Sequence, residues 1–186
     1  MEPESYSYTL KLPKERIAVL IGTKGEVKKE LEDATHAKFH IDSDVGDVTL
    51  LGTDTLGLFI AREVVRAIGR GFNPEVAKLL LKADYVFEMI NIADYAGKAK
   101  NQLERIRGRV IGSEGKSRKV IEQLTETYLS VYGKTIAIIG TAANVGTARR
   151  AIESLLSGSM HATVYRWLER QRRALKRQEF LERANR

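Results

Sequence analysis

Residues 6–12 alternate polar and apolar, the two-residue period of a half-buried strand. The period then lengthens. Pro13 suits the first turn of a helix, and Ile17, Leu20 and Ile21 recur at helical spacing behind it. A turn at residues 22–25 ends that helix. A second amphipathic run follows, with Val27 and Leu31 expected inside and Lys28, Lys29 and Glu32 outside. Residues 38–42 and 48–51 read as strands joined by an acidic loop holding Asp42, Asp44 and Asp47. Residues 56–68 read as a closing helix.

The same order recurs downstream. Gly112 lies 90 positions after Gly22 and Gly115 lies 90 after Gly25, and at that offset Ile21 meets Ile111 and Leu31 meets Ile121. Strands are expected at 86–92, 128–131 and 135–139, and helices at 102–111, 116–125 and 148–156. The predicted fold is α+β: a β-α-α-β-β-α unit twice, each a three-stranded sheet packed on three helices. The first unit is assigned to residues 1–72 and the second to 83–158. Between them, residues 73–82 read as a connecting helix with Asn73 as N-cap, Pro74 at the first position and Glu75 favouring the dipole. Residues 159–186 carry a basic amphipathic helix, where Val164, Trp167, Leu168, Leu175 and Leu181 can share one face. Arg166, Arg170, Arg172, Arg173 and Arg177 occupy the other.

Composition narrows the classes. The 186 residues are 43% hydrophobic with no cysteine, which excludes disulfides, thiolate metal sites and a cysteine nucleophile. No apolar run approaches the roughly 20 residues of a membrane span, and the acidic start at residues 1–5 is unlike a signal peptide; a cytoplasmic protein is expected. The net charge of +7 is uneven. Residues 1–82 hold 12 Lys and Arg against 13 Asp and Glu, whereas residues 83–186 hold 19 against 11. That asymmetry points the second half towards nucleic acid, with a plain solubility charge as the bland reading.

With 15 glycines in the chain, chance supplies roughly one pair three apart. Here there are two, each between helical runs. Glycines let a sugar-phosphate backbone approach the main chain, while the following helix turns its N–H groups and positive dipole end to the phosphate. The second loop is the stronger candidate. Arg105, Arg107, Arg109, Lys116, Arg118 and Lys119 surround Gly112, Ser113, Glu114 and Gly115, Ile111 offers an apolar wall, and Ser117 follows. Glu114 should tilt away from phosphate. The first loop, Gly22, Thr23, Lys24 and Gly25 with Lys28 behind, is a possible second RNA or partner site. The nearby aspartates weaken it.

Other patterns fail. Gly115-Lys116-Ser117 ends like a phosphate-binding P-loop, but the required glycine five places earlier is Val110. Asp42-Ser43-Asp44 begins like a calcium loop, but its twelfth position is Thr53. His36, His40 and His161 are too dispersed for a metal site; His36 should finish a helix. Trp167 can stack on a base, although its spacing with Val164 and Leu168 favours packing. No cofactor or metal is expected, and no enzyme: a metal-dependent nuclease needs converging carboxylates that the basic loop lacks.

From residue 7 to 158 the sequence resembles two tandem KH domains of the eukaryotic-type (type I) topology, modules that clamp about four unpaired nucleotides. Residues 71–80, 109–118 and 164–168 give a narrower resemblance, to the archaeal member of the Krr / partner-of-Nob family of small-subunit ribosome-assembly proteins. That resemblance implies a non-catalytic protein binding single-stranded RNA near the 3′ end of small-subunit rRNA or its precursor. It implies contacts from Gly112 to Lys116 with Arg118 behind. Its implied partners are an rRNA-trimming endonuclease, an rRNA dimethyltransferase or a translation initiation factor. Eukaryotic relatives often have a degenerate first copy, whereas Gly22 and Gly25 persist here, leaving RNA or protein open for that surface. The rival reading is a generic KH adaptor in RNA decay or mRNA regulation.

Overall fold

The alternation at the start of the chain forms an edge strand, β1 (Tyr6–Lys11), in a computed structural model that describes residues 5–96 and 100–184. The acidic residues 1–4 and the final Asn185 and Arg186 lie outside the described residues. The chain divides into two units, residues 1–87 and 88–186. The first continues through α1 (Lys14–Ile21), α2 (Glu26–Thr35), β2 (Lys38–Asp42), β3 (Asp47–Gly52) and α3 (Thr55–Gly69). Its sheet has the order β1-β3-β2, with antiparallel neighbours. Register sets Phe39 opposite Leu50 and Ile41 opposite Val48, which puts the apolar side chains on one face. Leu20, Leu31, Leu58 and Val65 close that face from the helices, all buried with Phe39, Val48 and Leu50. Burying each such side chain contributes about 1.5–3 kcal/mol before the cost of ordering it.

A short α4 (Pro74–Ala77) and a 3-10 turn at Lys78–Leu81 follow. Asn73 caps α4 differently from expectation. Its side chain makes no cap bond, and its main-chain carbonyl instead accepts the N–H groups of Val76 and Ala77. Lys78 ties this connector to α2, its ammonium 2.7 Å from Glu30 and 2.8 Å from Glu75. The hydrogen bond to Glu30, then that to Glu75, raises the Lys78 pKa above its ordinary value.

The second unit repeats the order with β4 (Tyr85–Asn91), α5 (Lys100–Ile111), α6 (Lys116–Thr125), β5 (Tyr128–Tyr132), β6 (Thr135–Thr141) and α7 (Ala142–Leu156). Its sheet order is β4-β6-β5. Helix α7 starts six residues before the expected 148, because Ala142 and Ala143 make good first-turn residues whose small side chains leave no amphipathic signal. The long α8 (His161–Ala184) then runs to the end of the described chain.

The repeat extends to bonds that hydropathy does not reveal. Glu32, expected outside, accepts the N–H of Phe39 at 2.7 Å, and Glu122 accepts that of Leu129 at 2.8 Å. Both carboxylates tack the second helix of a unit to the strand after it. His36 ends α2 with φ 53°, as expected of a helix terminator, and Glu126 ends α6 with the same φ. In the acidic hairpin, the Asp42 carboxylate accepts the N–H groups of Asp44 and Val45, so it builds the turn.

Two arginines clamp equivalent carbonyls. Arg16 donates from Nε to the Ile68 carbonyl at 2.7 Å and from its terminal nitrogen to that of Phe72. Arg109 donates from Nε to Leu155 at 3.0 Å and from its terminal nitrogen to Ser159. These carbonyl pairs lie 87 positions apart, the same offset as Gly71 and Gly158, although the arginines occupy different turns of α1 and α5. Each guanidinium satisfies acceptors at the end of its unit's third helix.

The C-terminal helix departs from expectation. Val164 and Leu168 are buried where α8 crosses α6 and α7, but Leu175 and Leu181 are 41% and 53% exposed. The apolar face is used for two turns only. Beyond it the helix is held by its own hydrogen bonds and by basic residues that tolerate water.

Replacing Arg109 with Met should lower the unfolding free energy by about 1–2 kcal/mol, the value of two net hydrogen bonds on a half-buried group. Denaturant titration measures it, and an unchanged midpoint would show that water satisfies both carbonyls.

Candidate nucleic-acid interface

The two glycines of each loop have different duties. Gly112 (φ 75°) and Gly22 (φ 72°) face inward. A Cβ built on Gly112 would lie 2.6 Å from the Ser117 nitrogen, and one on Gly22 would lie 2.5 Å from Val27 Cγ2. No real Cβ tolerates that approach, so these positions let the two helices close on each other. Ser117, expected at the RNA surface, is instead 2% exposed and packed beneath Gly112.

Gly115 (φ 73°) and Gly25 (φ 81°) face outward, and a Cβ on either would meet nothing within 4 Å. Each is the N-cap of the helix that follows, and no side chain makes the cap bond. The first N–H groups are taken up within the turn: Gly115 donates to the Gly112 carbonyl and Gly25 to that of Gly22, each at 3.3 Å, while Lys116 donates to Ser113 and Glu26 to Thr23. The positive dipole ends of α6 and α2 thus stand beside an open glycine face. The preceding residues, Glu114 at φ 52° and Lys24 at φ 54°, also take the left-handed conformation. Ser113 and Glu114 are exposed, as are Thr23 and Lys24. Glu114 is therefore a solvent-exposed carboxylate within the loop.

The ring of cations is thinner than the sequence suggests. Lys116 and Lys119 are exposed one turn apart on α6 beside the open glycine. Arg118 is half-buried, 3.6 Å from the Glu122 carboxylate that holds β5. Arg109 is turned to the carbonyls of Leu155 and Ser159. Arg107 and Ile111 are half-buried on α5, and Arg105 is exposed. Behind the first loop, Lys28 is half-buried and Lys29 exposed. Sequence reading passed over His161, whose Nε2 lies 2.7 Å from the Arg109 carbonyl oxygen and fixes the start of α8 to the end of α5. Only its position three residues after Gly158 hints at that role.

Among the described residues no group of three His, Asp or Glu side chains could hold a metal ion, and no helix is long and apolar enough to cross a membrane.

Comparison with known proteins places this geometry. Residues 86–173 match the family described as eukaryotic type KH-domain (KH-domain type I), and residues 7–67 match the KH domain. A KH domain-containing protein of Methanocaldococcus jannaschii is 51% identical over 175 residues, covering 92% of this chain and 76% of that protein. The RNA-binding protein pno-1 of Caenorhabditis briggsae is 37% identical over 114 residues, covering 60% of this chain. The chain spans 41% of the length of that relative. A chain from the crystal structure of the a/eIF2alpha–aDim2p–rRNA complex of Pyrococcus horikoshii OT3 is 45% identical with a TM-score of 0.86, covering 93% of this chain and 97% of its own. Both repeats are KH domains, and the chain belongs to the KH-domain family of the Dim2 and pno-1 proteins, a family of binding proteins rather than enzymes.

Proposed function

We propose that this protein binds single-stranded rRNA through the Gly112–Gly115 loop and acts in assembly of the small ribosomal subunit. One observation carries the reading: the open face of Gly115 at the uncapped start of α6, flanked by exposed Lys116 and Lys119. A phosphate there meets the positive helix end and is neutralised by two lysines. The relative crystallised with rRNA supports rRNA as the class of ligand, and the resemblance to the partner-of-Nob family supports the 3′ region of the small-subunit rRNA or its precursor. A translation initiation factor is the partner best supported, since the same complex contains a/eIF2alpha. An rRNA-trimming endonuclease and an rRNA dimethyltransferase are further partners on the resemblance alone, and the cytoplasm is the site of action. The Gly22–Gly25 loop has the same open geometry in less basic surroundings and serves as the weaker RNA site or a partner surface.

Gly115→Asp places a carboxylate in the open face, in a residue type that tolerates the left-handed region at about 1 kcal/mol of fold stability. It should weaken binding of a short unpaired oligonucleotide by about ten- to a hundredfold, read by fluorescence anisotropy, the cost of a lost charge-assisted bond. Gly25→Asp should cost less, and a larger loss at Gly25 would exchange the roles of the two loops. Gly112→Ala should instead damage the fold, visible as a lowered melting temperature, because its Cβ meets the Ser117 main chain.

Salt dependence gives a second measure. Changing Lys116 and Lys119 to Ala should flatten the plot of log affinity against log salt by roughly 0.7 for each lysine removed. An unchanged slope would mean that neither lysine neutralises a phosphate.

A further inference from the structure

A second feature of the basic unit lies outside the glycine loop. Helices α7 and α8 diverge around a cleft of about 660 Å³, within the range of about 300–1,000 Å³ that accommodates a small ligand or one nucleotide. Arg150 from α7 and Arg170 from α8 line it, and the half-buried indole of Trp167 forms part of its wall. Ser157 and Thr163 add exposed hydroxyls at the same place.

The charge balance is specific. Glu153 also lines the cleft, but its carboxylate is engaged at 2.8 Å by Arg149, which reaches Glu88 at 2.8 Å as well. Among the described residues no carboxylate pairs with Arg150 or Arg170. A separate shallow pocket that shares Thr163 and Arg170 is lined by Arg166 and Arg173, the latter 3.9 Å from Glu169 with both side chains more than half exposed. At that distance and exposure the pair holds its charge weakly. The cleft itself is thus lined by Arg150 and Arg170, an aromatic ring and hydroxyl donors.

We propose that this α7–α8 cleft is a second binding site for single-stranded RNA, in which one base stacks on Trp167 while Arg150 and Arg170 hold the adjoining phosphates. An aromatic face accepts any base, and planar guanidinium groups bind phosphate oxygens in pairs. An acidic polypeptide would use the arginines but would leave the indole and the hydroxyls without a role, so RNA fits better. The cleft explains why the basic face of α8 begins where its apolar face meets α7. It does not rest on the glycine loop, and it lengthens the track of RNA that the unit holds beyond the about four nucleotides of one KH groove.

Trp167 is the chain's single tryptophan, so its fluorescence reports this cleft alone. Titration of the whole chain with an unpaired RNA of about 12 nucleotides, longer than one loop can hold, should quench the emission as RNA anisotropy rises. Arg150→Glu with Arg170→Glu should raise the concentration for half-maximal quenching by about tenfold or more. Binding of a four-nucleotide RNA, read by anisotropy, should be unchanged in that variant and serves as proof of its folding. Emission that stays constant at every RNA concentration overturns the assignment, as does unaltered quenching in the charge-reversed variant. Quenching by polyglutamate and not by RNA also overturns it, in favour of an acidic protein partner. Failure of the loop reading is separate: it would leave four-nucleotide binding intact in Gly115→Asp while the Trp167 response stands.

Discussion

A missing side chain at Gly112 lets α5 and α6 approach until the main chain of Ser117 sits where a Cβ would be. That closeness forces the chain to reverse within a few residues, and the reversal is made by left-handed Glu114 and Gly115. The reversal in turn leaves α6 beginning beside an open glycine face, its first N–H groups held by the Gly112 and Ser113 carbonyls and by no side chain. One steric constraint thus produces a positive helix start beside an open glycine face, which the proposed function assigns to a phosphate. The same dependence holds in the first unit, where Val27 fills the place of Ser117 and Lys24 that of Glu114. The scaffold repeats; the charges around it do not. The first unit is near neutrality and the second strongly basic, and it is on that difference that the proposed function ranks the two loops.

Much of the second unit's positive charge is structural. Arg109 holds the end of α7, Arg149 bridges two glutamates, and Arg118 stands against Glu122. Binding one of these guanidinium groups to a ligand would cost the internal partner it leaves. Among the described residues no ion pair engages Lys116, Lys119, Arg150 or Arg170, so these cations can meet a phosphate without losing one. They fall in two places, one at the glycine loop and one between α7 and α8. A count of basic residues therefore overstates the RNA surface, whereas the partners of each residue define it.

The repeat was legible in the sequence because it rests on features that sequence carries directly: two glycine pairs at one offset, apolar periods of the right length, and turn residues between them. Strand β2 and helix α6 fall where the periodicity puts them. The first turn of α7 did not, since alanines pack without an amphipathic signature. Leu175 and Leu181 continue an apolar stripe on α8 that has nothing to cover it, because periodicity shows which residues can share a face and not where the neighbouring surface ends. Arg109 and Ser117 lie in the basic, polar neighbourhood of the loop, where sequence alone makes both candidate ligands. Their burial depends on contacts between residues some 46 to 50 positions apart, or on a glycine's missing Cβ. The tack from Glu32 to β2 was equally hidden, yet its echo at Glu122 shows that a polar residue repeated at the offset of the fold signals a structural bond.

The central claim is that unpaired RNA binds at the open glycine turn that starts α6. Amide chemical-shift mapping tests it directly, by titrating isotopically labelled protein with a single-stranded rRNA oligonucleotide. The largest shifts are predicted at Ser113, Glu114, Gly115 and Lys116, with smaller ones at Thr23, Lys24 and Gly25. Shifts that leave residues 113–116 unmoved while the RNA saturates the protein would contradict the account.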